Sequence, residues 1–273
     1  MNKKSRSVII RNILACLLSL MMLVPLMVVL VNSFKTKQEA LSLSLSLPET
    51  IQWQNYLKVI SEGKLIQSFI NSMIYAGVTV ILGVMLSAMA AFVLNRNKTR
   101  INKFLYFFII LGITLPINHI SLMRVLQFLN LYNTRTGLSL IYTAWKIPFS
   151  VFIIYGFIST IPRELDEAAV IDGCNSISLF FRIIAPVLKP VLVTVGVLNF
   201  MDAWNQFIMP LYYINDTAKW PMTLAVYNFF GRYEMSWNLV CADVVLTSLP
   251  IIIVYLIGQR HIISGMLAGS VKG

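Results

Sequence analysis

The residues best able to do chemistry in this sequence are charged side chains inside long apolar stretches. Lys146 and Asp202 lie about 13 Å and about 10 Å from the same end of two predicted helices, counted at about 1.5 Å per residue. A charge in such a place costs ~2.5–3.5 kcal/mol to insert into a membrane, so it indicates a specific use. We expect these two charges to pair with each other or to face a common pathway.

Amide side chains and a tryptophan surround Asp202. Asn199, Asp202 and Gln206 recur at i, i+3 and i+7 and therefore share one helix face, with Trp204 and Asn205 beside them. Such donors and acceptors suit a hydroxyl-rich solute, and hydrogen bonding to a neighbouring helix is an equally open alternative. The candidate pathway residues are Lys146, Asn199, Asp202, Trp204, Asn205 and Gln206.

The most informative polar segment covers residues 161–185. Glu164 and Glu167 lie in the first turns of a predicted short helix, where the helix dipole favours acids, and Gly173 can end that helix in the left-handed conformation. A second short helix is predicted over 177–184, before Pro186. This capped hairpin can dock on another protein or lie as an amphipathic connector on the membrane, and the residues alone leave both open.

Composition points to a membrane protein. The chain has 273 residues, of which 58% are hydrophobic and 12% charged, whereas a soluble domain carries about 25% charged residues. The net charge of +11 comes without the basic stripe or aromatic motif of a nucleic-acid-binding protein, so no nucleic acid is expected.

The sequence contains no recognisable catalytic or metal-binding constellation. Its three cysteines, Cys16, Cys174 and Cys241, match no metal or redox spacing. No phosphate-binding loop of the G-x-x-x-x-G-K-[ST] type occurs, so we predict no catalytic residue, no metal and no directly bound cofactor.

Six apolar runs are each long enough to cross a membrane as a helix. They cover about 9–33, 66–94, 103–125, 137–160, 186–209 and 239–259. The short connection 95–103 carries four basic residues and no acid, which places it in the cytosol by the positive-inside rule. The fold class is therefore all-α and integral to the membrane, one domain with six spans, an uncleaved first span, both termini cytoplasmic and a cytosolic hairpin between spans four and five.

The second predicted span has a stripe of small residues. Gly83, Ser87 and Ala91 follow one another at a spacing of four and share one helix face. Small residues let another helix approach closely. The approaching helix belongs either to this chain, as ordinary packing, or to a partner subunit.

Residues 161–186 resemble the EAA motif of bacterial ATP-binding-cassette importer permeases. The motif appears here as Glu167-Ala168-Ala169, then Gly173, then Ile183-Ile184-Ala185-Pro186, with Ala185 where the family usually has Leu. Trp204-Asn205 and the ending Ser264–Gly273 resemble the carbohydrate-type group within that family, which includes a maltose-importer permease.

The resemblance implies several partners. It implies a second homologous permease, two ATPase subunits that use ATP and Mg, an extracellular or periplasmic solute-binding protein, and the lipid of a bacterial cell (inner) membrane. The residues that would couple to the ATPases are Glu164, Glu167, Ala168, Ala169, Asp172, Gly173 and Pro186. The outer segment would offer Trp220, Tyr233 and Trp237 to the binding protein; interfacial anchoring of these aromatic residues is the alternative.

Three other functions compete with a sugar importer. A permease of the same kind for a non-sugar solute is the nearest. An ion-coupled secondary carrier would use Lys146, Asp202 and His119, but it leaves the hairpin without a role. A membrane-embedded enzyme would need converging catalytic groups that the sequence lacks.

Overall fold

The computed structural model describes residues 3–230 and 235–270, with side chains described for 11–230 and 235–260. The α-helices are α1 Lys3–Asn32, α2 Gln54–Glu62, α3 Leu65–Arg96, α4 Arg100–Leu111, α5 His119–Phe128, α6 Arg135–Ile158, α7 Glu164–Ile171, α8 Ser176–Ser178, α9 Ala185–Trp204, α10 Ile208–Tyr213, α11 Met222–Ala225 and α12 Trp237–Ser270. Five helical stretches are long and apolar enough to cross a membrane: Arg11–Asn32, Leu65–Arg96, Arg135–Ile158, Ser176–Trp204 and Trp237–Arg260. The all-helical prediction is thus confirmed for the described residues, and five of the six predicted spans correspond to one of these long apolar helices.

The third predicted span, 103–125, is wrong as one continuous helix. Helix α4 ends at Leu111 and α5 begins at His119. Pro116 has no backbone N–H and restricts the residue before it, which stops a helix there. The Asn118 side chain then accepts from the backbone N–H of Ser121 at 3.0 Å and starts α5. Gly112 follows the last residue of α4 and lies close to α6. A Cβ at this position would lie 2.8 Å from Pro148, which leaves room only for glycine unless the proline moves.

The second arm of the predicted hairpin is also different, because it is the beginning of the fifth span. The helix runs without a gap from Ser176 to Trp204, with a π-helical turn at Leu179–Ile184. The N–H of Ala185 donates to the carbonyl of Phe180, one residue beyond the usual partner. This wide turn directly precedes Pro186, which cannot donate, so the strain of the proline is absorbed within a continuous helix.

The fifth span ends earlier than predicted, at Trp204 instead of near 209. A three-residue break separates it from α10. In this break the Gln206 carbonyl accepts from the Thr223 hydroxyl at 2.7 Å instead of from a helical N–H.

The chain divides into two compact units. The first consists of Met1–Ile66 and Ala225–Leu249. In it Lys35, 1% exposed, donates to Ser44 and Ser46 oxygens at 2.9–3.2 Å. Asn55 donates to the carbonyls of Ser33 and Lys35, each at 2.9 Å. A buried cation and a buried amide therefore hold the segment that follows α1.

The second unit consists of Gln67–Leu224 and Pro250–Gly273. Helices α3, α6 and α9 pack around an apolar core in it. Its fully buried members include Ala91, Val151, Ile154, Ile158, Ile184, Leu188 and Val195. Ser87 is fully buried too, and a Cβ on Gly83 would lie 3.3 Å from the Asn199 amide. The small-residue stripe thus serves packing within this chain.

A polar clamp fixes the segment around Ala218 to the first turns of α3. The Asn71 amide donates to the carbonyls of Ala218 and Trp220, both at 3.0 Å, while its oxygen accepts from Arg135 at 2.9 Å. Arg135 and Gln67 also donate to the Ala218 carbonyl, at 3.1 and 3.0 Å. Asn71 is 1% exposed, so these bonds replace water that cannot reach it.

We predict that Asn71→Leu destabilises the protein by about 1–3 kcal/mol, because it leaves buried groups such as the Arg135 guanidinium short of partners. The midpoint of thermal unfolding in detergent measures this. Gln67→Leu is the matched control, because Gln67 is exposed and makes one bond to the same carbonyl. Equal losses in the two variants would contradict the clamp.

Candidate functional site

Lys146 on α6 and Asp202 on α9 form an ion pair, as the sequence predicted. The Lys146 side chain is 7% exposed and the Asp202 side chain 48%. The Lys146 ammonium also lies 4.8 and 5.2 Å from the ring centroids of Trp145 and Phe149. The cation is therefore enclosed by rings and one carboxylate, while the carboxylate keeps an open side.

Asn199 bonds to a neighbouring helix. Its amide nitrogen donates to the Ser150 hydroxyl at 3.1 Å, and the two oxygens lie 3.3 Å apart. Both residues are fully buried. The structure thus supports the packing alternative for Asn199, and this residue cannot contact a solute without a rearrangement of α6 against α9.

The last residue of α9, Trp204, and the two residues after it differ in exposure. Trp204 is 1% exposed; it stacks on Phe200 with centroids 5.6 Å apart and meets Phe69 edge-on at 5.9 Å. Asn205 is exposed and Gln206 is half-buried. Of the candidate pathway residues, Asp202, Asn205 and Gln206 thus have side chains that are exposed or half-exposed.

An apolar groove of about 690 Å³ lies between α3 and α9. Lys189 is the charged residue among its lining residues. Val84 and Val197 form parts of opposite walls, and Gly196 lies where a Cβ would come within 3.6 Å of Val80. Sequence reasoning did not single out this groove, because it is formed by residues about a hundred positions apart.

The helix α7 of the EAA-like segment ends in a Schellman motif. The Gly173 N–H donates to the Val170 carbonyl at 3.0 Å, and the Cys174 N–H donates to the Ala169 carbonyl at 2.9 Å. Gly173 has φ of +81°, the left-handed conformation predicted from its position. Cys174 packs against the apolar core, which supplies the contact that usually accompanies this motif.

An ion pair that the sequence did not suggest holds α7 to the end of α3. The Arg96 Nε lies 2.6 Å from the Asp166 carboxylate, and the two side chains are 11% and 17% exposed. Arg96 also donates to the Ile161 carbonyl at 3.3 Å. Arg163 donates back to the Arg96 carbonyl at 3.3 Å. With Ala169 buried at 2% exposure, one side of α7 is thus fixed on the core.

The other side of α7 is open, and its composition differs from the predicted face. The exposed predicted residues on α7 and the turn after it are Glu164, Glu167, Ala168, Asp172 and Gly173, whereas Ala169 faces the core; Pro186 is exposed too, but it lies in α9. Val170 and Ile171, which sequence reasoning did not single out, are 60% and 84% exposed, and Ile177 beyond the turn is 72% exposed. Acids and aliphatic side chains therefore share one accessible surface.

The aromatic residues predicted for an outer contact lie in different places. Trp220 is half-buried and donates its indole N–H to the Ile214 carbonyl at 3.2 Å. Trp237 is half-buried at the start of α12, and Tyr233 lies outside the described residues. Near Trp220, the backbone N–H of Ala218 and then Lys219 hold the pKa of the Asp216 carboxyl below its ordinary value.

His119 has a packing role. Its ring lies 4.9 Å from that of Tyr212, nearly parallel, and its Nδ1 is 2.8 Å from the Tyr213 hydroxyl. These contacts join the start of α5 to α10. They give the histidine a structural function at the place where the third predicted span is broken.

A family model described as "Binding-protein-dependent transport system inner membrane component" matches residues 83–267. A probable starch degradation products transport system permease protein of Thermoanaerobacterium thermosulfurigenes is 33% identical over 260 residues, 95% of each chain. A melibiose/raffinose/stachyose import permease protein of Bacillus subtilis (strain 168) is 31% identical over 273 residues, 99% of each chain.

The fold is also similar to a solved structure. One chain of a bacterial ABC transporter involved in the import of the acidic polysaccharide alginate superposes with a TM-score of 0.83, covering 95% of this chain and 98% of that chain. The sequence identity is 20%, so this likeness concerns the fold alone.

We predict that Asp202→Asn destabilises the protein by about 3–5 kcal/mol, because it leaves the buried Lys146 ammonium without its carboxylate. Lys146→Met should destabilise the protein less, since the Asp202 carboxylate that is left without a partner is half exposed. The double variant should recover most of the loss, because neither charge then needs a partner. Thermal unfolding in detergent measures all three; a double variant as unstable as Asp202→Asn would refute the pairing.

Proposed function

This chain belongs to the family of binding-protein-dependent transport system inner membrane components, and we propose that the solute it carries is a sugar or an oligosaccharide. The family consists of membrane permeases of ATP-binding-cassette importers, whose ATP is hydrolysed by partner ATPases. The chain is therefore a transport subunit and not an enzyme. The observation that carries the proposed solute is the alignment, over 95% or more of each chain, with relatives named for starch products and for raffinose-type sugars.

The proposed solute pathway uses the accessible residues at the end of α9. Asp202, Asn205 and Gln206 offer a carboxylate and two amides on or beside one face, and sugar hydroxyls need such acceptors and donors. Lys146 holds Asp202 in place from α6. Asn199 and Trp204 are buried, so in this proposal they support the pathway by packing and do not contact the solute.

In this proposal α7 and the turn after it dock on an ATPase subunit. The support is physical: a folded segment that exposes Val170, Ile171 and Ile177 to water is costly unless another protein covers them. Three exposed acids lie around this apolar surface: Glu164, Glu167 and Asp172. Their negative charges favour a partner surface with basic residues. The fixed side of α7 would then pass the movement of the ATPase to α3 through Arg96.

The proposed importer contains a second homologous permease and two ATPases, which bind ATP and Mg. The apolar groove between α3 and α9 fits this assembly, because a helix of the second permease can fill it. A solute-binding protein would deliver the solute on the opposite side of the membrane. We propose Trp220 and Trp237 as its contacts; Tyr233 belongs to the same proposal from the sequence alone.

We propose a bacterial inner-membrane location with both termini in the cytoplasm. The basic connection between α3 and α4 supports this orientation. With 12 and 10 residues, α4 and α5 are each too short to cross a membrane about 30 Å thick. The two helices together, joined at the break, would make the third crossing in chain order and bring the total to six.

Transport in reconstituted vesicles tests the solute and the energy source. We expect ATP-dependent uptake of labelled maltose or raffinose when the chain is combined with its partner permease, its ATPases and its solute-binding protein. Vesicles that contain the non-hydrolysing adenosine nucleotide AMP-PNP in place of ATP are the control. Uptake driven by a proton or sodium gradient without ATP would refute the importer, whereas ATP-dependent uptake of a non-sugar solute alone would refute only the proposed cargo.

A single substitution tests the docking surface. We expect Ile171→Ser to weaken ATPase binding about tenfold and to lower uptake, because a buried aliphatic side chain contributes about 1.5–3 kcal/mol to an interface. The chain itself should stay as stable, since Ile171 is 84% exposed. Leu47→Ser, at 82% exposure in another segment, is the control. Equal ATPase binding by both variants would refute docking at α7.

A further inference from the structure

A cavity of about 300 Å³ lies where the ends of α3, α4 and α6 meet. Its polar lining comes from Lys98, Asn102 and Lys103. Its other lining residues are two tyrosines, a leucine and a phenylalanine: Tyr106, Tyr155, Leu94 and Phe107. None of these residues belongs to the proposed pathway or to the docking surface on α7.

The cavity is positively charged. Lys98 and Lys103 are exposed, and neither forms an ion pair with any residue of the described part of the chain. The connection 95–103 contains no acid, and the nearby Asp166 is already paired with Arg96. The Asn102 amide donates to the Asn97 carbonyl at 2.8 Å, which orients it. Two cations therefore face one small space without a counter-charge.

The opposite wall is aromatic and apolar. Tyr106 and Tyr155 stack with ring centroids 4.1 Å apart and an angle of 29° between the rings. Leu94 is 8% exposed and Phe107 is 56% exposed, and both line the same cavity. The cavity is thus amphipathic, with cations at one edge and rings and aliphatic groups at the other.

The cavity lies at the level of the boundary between membrane and water. Lys98 lies two residues beyond the end of the span Leu65–Arg96, and Tyr155 lies three residues before the end of the span Arg135–Ile158. Tyrosine is enriched at the level of lipid headgroups. Basic pockets between helices at this level suit lipid phosphates.

We propose that this cavity binds the headgroup phosphate of an anionic phospholipid. The two ammonium groups hold the phosphate, and the stacked tyrosines and Leu94 contact the glycerol and the first methylene groups. Inorganic phosphate has the charge but lacks the apolar part, so it leaves the aromatic wall uncovered and binds more weakly. A zwitterionic lipid brings its own cation towards Lys98 and Lys103 and is disfavoured.

Native mass spectrometry of the full chain, purified with its partner subunits and stripped of lipid, tests the proposal. The sample is titrated with detergent-solubilised phosphatidylglycerol, with phosphatidylcholine, and with inorganic phosphate as a competitor. We expect one tightly retained phosphatidylglycerol per chain. Its affinity should fall about fivefold in Lys98→Gln or Lys103→Gln and about thirtyfold in the double variant.

Arg100→Gln is the matched control, because Arg100 is an exposed cation of the same connection outside the cavity; it should retain the lipid as the unchanged chain does. Equal retention by the double variant would overturn the site. Equal retention of phosphatidylcholine would overturn the selectivity for an anion. Displacement of phosphatidylglycerol by millimolar inorganic phosphate would assign the cavity to free phosphate instead.

Discussion

The ion pair between Arg96 and Asp166 joins a membrane-spanning helix to the short helix α7. Both side chains are largely buried, so salt in the solvent screens the attraction between the two charges only weakly. It also decides which way α7 faces. With Ala169 against the core on the same side, Val170 and Ile171 must point outward. The exposed apolar surface of α7 is therefore a consequence of how the helix is anchored.

Local rules predicted the details of this segment well. The end of α7 at Gly173 depends on one positive φ and two hydrogen bonds within six residues, all of which the sequence specifies nearby. The broken third span was missed because hydropathy averages over about twenty residues, whereas Pro116 interrupts the backbone at one position. The pairing of Arg96 with Asp166 was not predictable either, since the two residues are 70 positions apart and nothing in one sequence links them.

The polar residues within the spans fall into two groups according to the side chains that surround them. Lys146 and Asp202 could be paired from sequence because their depths are counted from the same membrane boundary. Helical periodicity also placed Asn199 on the face of Asp202, but periodicity does not tell what lies opposite. Ser150 lies opposite Asn199 and satisfies it. A polar face along a membrane helix can therefore change from buried to exposed within a single turn.

The uninterrupted helix from Ser176 to Trp204 connects the proposed docking surface with the proposed pathway. Its 29 residues reach roughly 43 Å at 1.5 Å per residue, so a shift at Ser176 can reach Asp202 along one helix. Asp202 is bound to Lys146 on α6, and its side chain is 48% exposed, so the carboxylate keeps an open side. The wide turn at Leu179–Ile184 is where the helix can bend. In the proposed importer, a change between two states that moves α9 against α6 would therefore have to rearrange this ion pair.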